Sequence, residues 1–506
     1  MSITINELVS LSQGRLCGEA AAEQSFDHIT LNSAELREGS LFAALPGLHA
    51  HGAEYAEGTP AAAILTDAAG HKILHDKGDS RPVIEVEDIR AILGVVSAAI
   101  YGNPSHQLTI LGVTGTSGKT TTTYLLEAGL MAEGHKVGLI GTTGTRIDGV
   151  AVPTKLTTPE APKLQELFAM MLAEGCTHVV MEVSSHAISL GRIAGTRFAV
   201  GGFTNLSQDH LDFHNTMEEY FEAKAGFFRA DSPLRAEKAV IMVDDEWGRT
   251  MSSVAGQQCL TVSASGAAAD VQVGEVSTTL AGMQEFSLTI DGHSHHIELA
   301  LPGQFNVANA ALAVSMASAV GSDMTAFIHG IAGVGVPGRM ERIDEGQDFL
   351  AVVDYAHKPA AVVAVLESVK AQTSGRLGVV LGAGGDRDAT KRPLMGGAAV
   401  ALADFVIITD DNPRSEDPAL IRNAVLEGAY GAAETAEHSP VIKEIGDRAE
   451  AIIAAVEWAQ TGDAIIVAGK GHENGQLVGN INHPFDDREH VRNALHARAK
   501  RSGADA

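Results

Sequence analysis

Residues 106–126, HQLTILGVTGTSGKTTTTYLL, constrain this chain more than any other stretch. An apolar run over 108–113 predicts a buried strand. It breaks at Gly115-Thr116-Ser117-Gly118, after which Leu125, Leu126 and Leu130 recur at helical spacing. A strand, a glycine turn and then Lys-Thr opening a helix form the context in which a phosphate-binding loop is credible. The glycines let backbone N–H groups converge on phosphate oxygens, and the helix N-terminus adds a favourable dipole. Lys119 then reaches the terminal phosphates and the Thr120 hydroxyl ligates Mg²⁺. The pattern departs from the usual loop at Val113, where a glycine commonly stands. An ordinary glycine turn is the competing reading.

A chain of 506 residues predicts two to four domains, each with its own core. A formal net charge of -27 argues against a nucleic-acid surface and against anionic membranes, although phosphate ligands need only local positive charge. Cys17, Cys176 and Cys259 have no metal or redox spacing, which fits a reducing compartment. MSITINELVS lacks the pattern of a signal peptide, and no apolar run approaches the roughly 20 residues needed to span a bilayer. A cytoplasmic protein is expected.

Alternation of strand and helix patterns divides the chain into three α/β parts. The first, 1–105, carries short strands at 41–45, 61–66 and 83–86. Its helix over 89–100 has Asp88 as cap, and Asn103-Pro104 is the boundary. The second, 106–337, predicts a largely parallel sheet with strands at 136–141, 179–183 and 198–204. A helix starts at Thr158-Pro159, with Leu164, Leu167, Phe168, Met171 and Leu172 as its apolar face, and another lies near 217–228. Residues 271–301 alternate like antiparallel hairpins, and an alanine-rich helix follows at 306–320. GVGVPG, 333–338, reads as a hinge linker. The third, 338–506, has strands at 349–353, 377–381, 405–409 and 464–468, which predicts a doubly wound sheet. Polar clusters follow those strands, in the crevice where such sheets bind ligands.

Other segments place acid, histidine and lysine at strand ends. Glu182 closes an apolar strand and is either a Mg²⁺ ligand or a glutamate reaching solvent. Asp209-His210-Leu211-Asp212-Phe213-His214 packs two Asp and two His into six residues, a weak metal signal by itself. Lys224, taken alone, reads as a surface lysine, and Arg414 as an exposed arginine in a turn.

Taken in order, GVTGTSGKTTT, TTPE, MEVSSHA, TNLSQDHLDFH with Lys224 following, GQFNVAN, VDYAHKP, GAGGDRD, TDDNPR and GKGHE resemble the Mur ligase family of peptidoglycan synthesis over essentially the whole chain. The resemblance implies a small N-terminal α/β domain for the UDP end of the substrate, a central P-loop ATPase and a C-terminal Rossmann-like domain for the amino acid. It implies an ATP- and Mg²⁺-dependent ligase acting through an acyl phosphate, with small-molecule substrates, no nucleic acid, no membrane and a monomeric state. Carried over by position, Gly115, Thr116, Ser117, Gly118, Lys119, Thr120 and Thr121 hold the ATP phosphates. Thr120 and Glu182 face one Mg²⁺ and His210 a second, beside Lys224 as a carbamate. Asn306, Arg339 and Asp354 approach the nucleotide. Leu31, Ser33, Leu48, His49 and Ala50 meet the uridine end, and Thr157, Thr158, Ser184 and Arg192 the muramoyl dipeptide. Leu190 departs from the pattern, since relatives can carry glutamine there. Arg387, Asp411, Asn412, Pro413, Arg414, Gly469 and Glu473 match a diaminopimelate pocket. L-Lysine as acceptor, the next ligase of the family, a folylpolyglutamate synthetase relative and a nucleotide-binding switch protein are the alternatives. The DNPR turn speaks against the lysine enzymes, and the third domain against a switch protein.

Overall fold

The computed structural model describes residues 2–504 apart from 48, 257–258, 280–282, 291 and 437. Three main sheets organise it. In the first, Ile29–Thr30, Leu41–Ala44, Ala63–Thr66 and Val83–Glu85 run parallel, and Arg15–Cys17 adds an antiparallel edge. The helix Ile89–Ile100 starts as predicted, with the Asp88 side chain accepting from Ala91 N. It buries Ile89, Leu93, Val96 and Ile100 against Ile5, Leu8, Leu41 and Leu65.

The second sheet has a parallel centre in the order Val137–Gly141, His178–Glu182, Thr109–Thr114, Val200–Phe203, Lys238–Met242 and Cys259–Ser263. Antiparallel pairs extend both edges: Gly144–Ile147 with Val150–Val152, and Gln284–Ile290 with His293–Leu299. The central strands are buried on both faces, so they read as continuous apolar runs. Helices Lys119–Ala132 and Gln304–Ala319 cover one face, and Ala161–Ala173 and Met217–Ala225 the other. Thr109–Thr114 is flanked by a parallel strand on each side, which places the glycine turn in mid-sheet.

One helix start differs from expectation. The helix after Thr158 begins at Ala161, with Glu160 as N-cap residue. The Thr158 hydroxyl cannot cap it, because it donates to Glu182 O at 2.8 Å and accepts from Ser184 N at 3.1 Å. That ties Thr158 to the end of the neighbouring strand.

The third sheet runs Glu341–Arg342, Leu350–Asp354, Ala464–Ala468, Leu377–Leu381, Phe405–Ile408, Val441–Glu444, parallel except for its first strand. Ala464–Ala468 inserts between Leu350–Asp354 and Leu377–Leu381, which makes the topological break where such sheets bind ligands. A hairpin, Gly475–Val478 with Ile481–Pro484, lies beside this end. The C-terminal helix Asp487–Ala504 is anchored there by a fully buried pair. Arg448 Nε and Nη2 meet the two Asp487 oxygens at 2.7 and 2.8 Å, and Nη2 also donates to Ala468 O at 3.0 Å.

Removing one member of a buried pair leaves an uncompensated charge, which costs about 3–5 kcal/mol. Arg448→Ala should therefore lower the stability of the third domain by that order, read as a fall in denaturation midpoint. A midpoint equal to wild type would show that Asp487 finds another partner.

Candidate active site

The turn after Thr109–Thr114 is shaped by close contacts as well as by glycine. Gly115 sits at φ 141° and Gly118 at φ 89°. A Cβ would lie 1.8 Å from Thr204 Oγ1 at the first position and 2.2 Å from Asn309 Oδ1 at the second. The strand end at Thr204-Asn205 holds the loop. Thr116 N donates to Asn205 O at 2.9 Å, Ser117 N to Asn205 Oδ1 at 3.0 Å, and the Thr204 hydroxyl to Ser117 O at 2.7 Å. The Thr116 and Ser117 N–H groups are thus held by Asn205 in this structure. No side chain caps the helix that starts after Gly118, so its first turn, including Thr120 and Thr121, supplies the donors for an anion.

Cations converge on the same loop. Lys119 Nζ donates to Gly115 O at 2.9 Å and to Thr116 O at 3.0 Å. Lys224, only 1% exposed, donates to Gly115 O at 3.0 Å. Lys358, from the third sheet's side, donates to Thr116 O at 3.1 Å and pairs with Asp209 at 2.8 Å. Lys391 stands 4.0 Å from Asp209, and Arg339 Nη2 reaches Thr120 Oγ1 at 3.4 Å. Burial, and then the neighbouring Lys358, pull the Lys119 pKa down to about 8. Burial pushes Lys224 well below its ordinary value, with Lys119 and Lys358 adding to the effect. Burial would raise Asp209, but Lys358 and His210 more than offset it and hold the carboxyl well below the usual range. Burial also brings His210 down to about 2 and His357 to about 3.

Glu182 does not reach solvent. It is 1% exposed and accepts from Thr120 Oγ1 at 2.9 Å, Thr142 N at 2.8 Å and Thr142 Oγ1 at 3.1 Å. A buried carboxylate beside a threonine hydroxyl offers hard oxygen donors, which fit Mg²⁺. His210, at φ 55°, is 3.1 Å from Asp209 and packs edge-on to His186 and Tyr220. Lys224 lies over the same Tyr220 ring, 4.6 Å from its centre.

From Glu182 a polar path leads outward. Thr142 Oγ1 is 3.2 Å from Thr157 Oγ1, and Thr158 lies 3.4 Å from Ser184 Oγ. Arg192 donates to Thr158 O at 3.3 Å and meets Glu160 at 2.8 Å, a carboxylate that also lies 3.6 Å from Arg90 of the N-terminal part. Leu31 packs on the N-terminal core. Ser33 opens a short 3-10 turn, with Asn32 accepting from Ala34 N at 3.1 Å. His49 and Ala50 sit in a turn closed by a Pro46–His51 bridge, and Leu48 lies outside the described residues.

Asn306 Oδ1 accepts from Asn309 Nδ2 at 3.1 Å, and Asp354 accepts from Met340 N and Ala356 N, each at 2.7 Å. A cavity of about 480 Å³ opens beside the 333–337 linker, lined by Pro302, Val336, Arg339, Arg342 and Arg488 among others.

The crevice of the third sheet gathers the remaining positions. Arg414, at φ 53°, donates to Gly385 O at 2.6 Å, and among the described residues no carboxylate stands within ion-pair distance of it. Asn412 is fixed by Lys470 at 3.0 Å, Glu473 at 2.9 Å and Leu477 N at 2.9 Å. Pro413 and Asp411 are buried beside it. Gly469, at φ 122°, passes so near Asp411 that a Cβ would be 2.6 Å from its Oδ2. Arg387 is exposed and donates to the Asp386 carbonyl.

Lys358, Lys391, Thr142 and Asn205 complete the site without having been singled out as site residues from sequence, and Asp209 had stood out there only as part of a weak metal pattern. The available signal was VDYAHKP, where a lysine between histidine and proline follows a buried strand.

The chain matches the Mur ligase middle domain over residues 113–317 and the Mur ligase glutamate ligase domain over 338–471. It is 59% identical over 500 residues to a UDP-N-acetylmuramoyl-L-alanyl-D-glutamate–2,6-diaminopimelate ligase of Corynebacterium efficiens, covering 98% of this chain and 95% of that one. It is 60% identical over 501 residues to the protein of the same description in Corynebacterium glutamicum, covering 97% of each. A solved structure of such a ligase superposes with a TM-score of 0.67 at 33% identity, over 99% of this chain and all of the other.

Gly118→Ala forces a Cβ against Asn309 at a left-handed φ, a strain of about 1–3 kcal/mol. The variant should melt below wild type and bind ATP more weakly in calorimetry. Unchanged affinity would show that the Gly118 turn does not shape an anion site.

Proposed function

The chain belongs to the Mur ligase family, and we propose that it joins meso-2,6-diaminopimelate to the γ-carboxylate of D-glutamate in UDP-N-acetylmuramoyl-L-alanyl-D-glutamate at the expense of ATP. The observation that carries this reading is the joining of two sites. A loop ringed by Lys119, Lys224, Lys358 and Arg339 meets a third-sheet crevice that ends at Arg414. The high identity to relatives described as this ligase supports the choice of substrates. The domains are 1–105, 106–337 and 338–506, and the enzyme works as a monomer in the cytoplasm.

A carboxylate is a poor electrophile at pH 7. Its oxygen attacks the γ-phosphorus of ATP, and the electron pair of the broken P–O bond leaves on ADP. The acyl phosphate so formed is attacked at carbon by the amine, which gives up a proton. The C–O bond then breaks to release inorganic phosphate. Lys119 holds the terminal phosphates, and its ammonium offsets charge gathering there. Thr120 and Glu182 would hold one Mg²⁺, which when bound neutralises phosphate charge. Asn306, Arg339 and Asp354 approach the nucleotide from the start of the Gln304–Ala319 helix, the end of the linker and the end of the Leu350–Asp354 strand. Thr157, Thr158, Ser184 and Arg192 orient the dipeptide, and Leu31, Ser33 and the 48–50 turn hold the uridine end.

Lys224 takes a distinct part. It is buried with no acid paired to it among the described residues, so the neutral amine is favoured. A neutral amine can add CO₂ and release a proton to give a carbamate, which would supply oxygen donors for a second Mg²⁺ beside His210. Lys224→Ala should lose activity by on the order of 10²–10³ and regain part of it with added short-chain carboxylates. Full activity of the variant without additive would sink the carbamate.

Acceptor choice falls to Arg414, with Arg387, Asp411, Asn412, Pro413, Gly469 and Glu473 around it. Diaminopimelate and lysine differ by the distal carboxylate, which a guanidinium can bind through two parallel N–H bonds. Phosphate release in the presence of ATP, the UDP-dipeptide and single amino acids should respond to meso-diaminopimelate and not to L-lysine. Arg414→Ala should raise KM for diaminopimelate roughly tenfold to a hundredfold and leave that for ATP little changed. Equal use of L-lysine by the unaltered enzyme would overturn the acceptor assignment.

A further inference from the structure

Three lysine side chains donate to the same two carbonyls of the glycine loop, and they do not all come from one domain. Lys119 and Lys224 belong to the central sheet, whereas Lys358 follows Leu350–Asp354 of the third and precedes Pro359, which opens the helix Pro359–Lys370. The residue before a proline is held extended, and Lys358 has φ -133° and ψ 148°. Its side chain therefore leaves the helix axis and crosses to the central domain. There it is 6% exposed, 3.1 Å from Thr116 O and 2.8 Å from Asp209 Oδ2.

A peptide carbonyl carries only a partial charge, and the Gly115 and Thr116 carbonyls are shared among three lysine amino groups. A terminal phosphate at this loop would offer full negative charge to the same donors. We propose that Lys358 is a phosphate-binding residue supplied by the amino-acid domain, which exchanges the Thr116 carbonyl for an oxygen of the terminal phosphate of ATP. The assignment rests on the ATP-dependent ligase reading above. Asp209 keeps partners during the exchange, because the Lys391 ammonium at 4.0 Å and the His210 ring nitrogen at 3.1 Å remain beside it. Gln208, the preceding residue, bonds Asp388 and Thr390 of the third domain at 3.2 and 3.1 Å, so the crossing is buttressed on both sides.

The consequence is an order of events. One of the cations that offset charge on the transferred phosphoryl group arrives only when the amino-acid domain is docked. The bond from the γ-phosphorus to ADP then breaks, and that to the substrate carboxylate forms, with the acceptor domain already against the site. Water has little time to hydrolyse the acyl phosphate before the amine attacks.

A latch that only held the domains together would contribute equally to every nucleotide. A terminal-phosphate contact distinguishes ATP from ADP. Calorimetric titration of the full chain with ADP and with a non-hydrolysable ATP analogue separates the two. Lys358→Met should weaken the analogue roughly tenfold to a hundredfold while ADP binds much as before. Lys358→Arg keeps the charge and should keep most of the preference. Lys358→Gln reads the same ratio if the methionine variant fails to fold. Equal weakening of both nucleotides in a variant with wild-type melting behaviour would overturn the Lys358 assignment and leave the ligase reading standing. A wild-type chain that binds neither nucleotide would overturn both.

Discussion

Lysine and arginine side chains buried against the 115–120 turn, only partly offset by the chain's own carboxylates, are the constraint on which the rest of the site depends. Lys119, Lys224, Lys358, Lys391 and Arg339 gather there, facing Glu182 and Asp209. Taking an ammonium out of water costs several kcal/mol unless close partners compensate. Backbone carbonyls do part of that work, and an incoming polyphosphate would do the remainder. The loop can present its carbonyls this way because Gly115 and Gly118 allow Thr204 and Asn309 to press against it. Any side chain at either position would push the strand end or the Gln304–Ala319 helix away. Loop shape and cation placement are thus one requirement.

Parallel topology explains why so many polar groups meet at this point. Thr109–Thr114, His178–Glu182 and Val200–Phe203 all end on the same edge of the central sheet, and Leu350–Asp354 and Ala464–Ala468 do so in the third. The two edges face each other. Gly338 approaches His472 so closely that a Cβ would lie 2.1 Å from its backbone nitrogen, which sets how near the linker and the GKGHE turn can come. Acyl-phosphate chemistry gains from such an arrangement, since the reactive species forms where the acceptor already is.

How much of this was legible followed from the range of the forces involved. Leu377–Leu381 and Ala464–Ala468 coincide with their sequence expectation because a strand buried on both faces is a continuous apolar run. Asp88 caps its helix as expected because capping is local. Thr158 looked like a cap by the same logic, yet its hydroxyl is claimed by Glu182, 24 residues away. The N–H groups of Thr116 and Ser117 are claimed by Asn205, whose side chain is 88 residues beyond Ser117. Lys358 bonds Thr116 across 242 residues. In each case a residue with an ordinary local role was taken over by a tertiary partner that no periodicity displays. The hairpin Gly475–Val478 with Ile481–Pro484 escaped for another reason: its strands are four residues each and mostly exposed, so they carry little alternation.

The acceptor crevice shows the same division between local strain and distant support. Arg414 holds a left-handed conformation, which costs a side-chain-bearing residue about 1–2 kcal/mol. The strain persists because the hairpin holds the residue on both sides: Arg414 N donates to Leu477 O at 3.0 Å, and Gly479 N to Arg414 O at 2.7 Å. Asn412, two residues earlier, is locked by Lys470, Glu473 and the Leu477 N–H. With its backbone fixed from outside the turn, the guanidinium has few ways to relax toward solvent. Among the described residues only its Nη1 is engaged, donating to Gly385 O at 2.6 Å and to Asn412 O at 3.5 Å, and a planar fork has five N–H groups to offer. A carboxylate arriving in the plane of that fork gains two parallel bonds without the arginine having to reorganise. An ammonium in the same place would meet only repulsion. On the acceptor assignment proposed above, selectivity between two amino acids of similar length depends on the hairpin that orients the cation as well as on the cation itself.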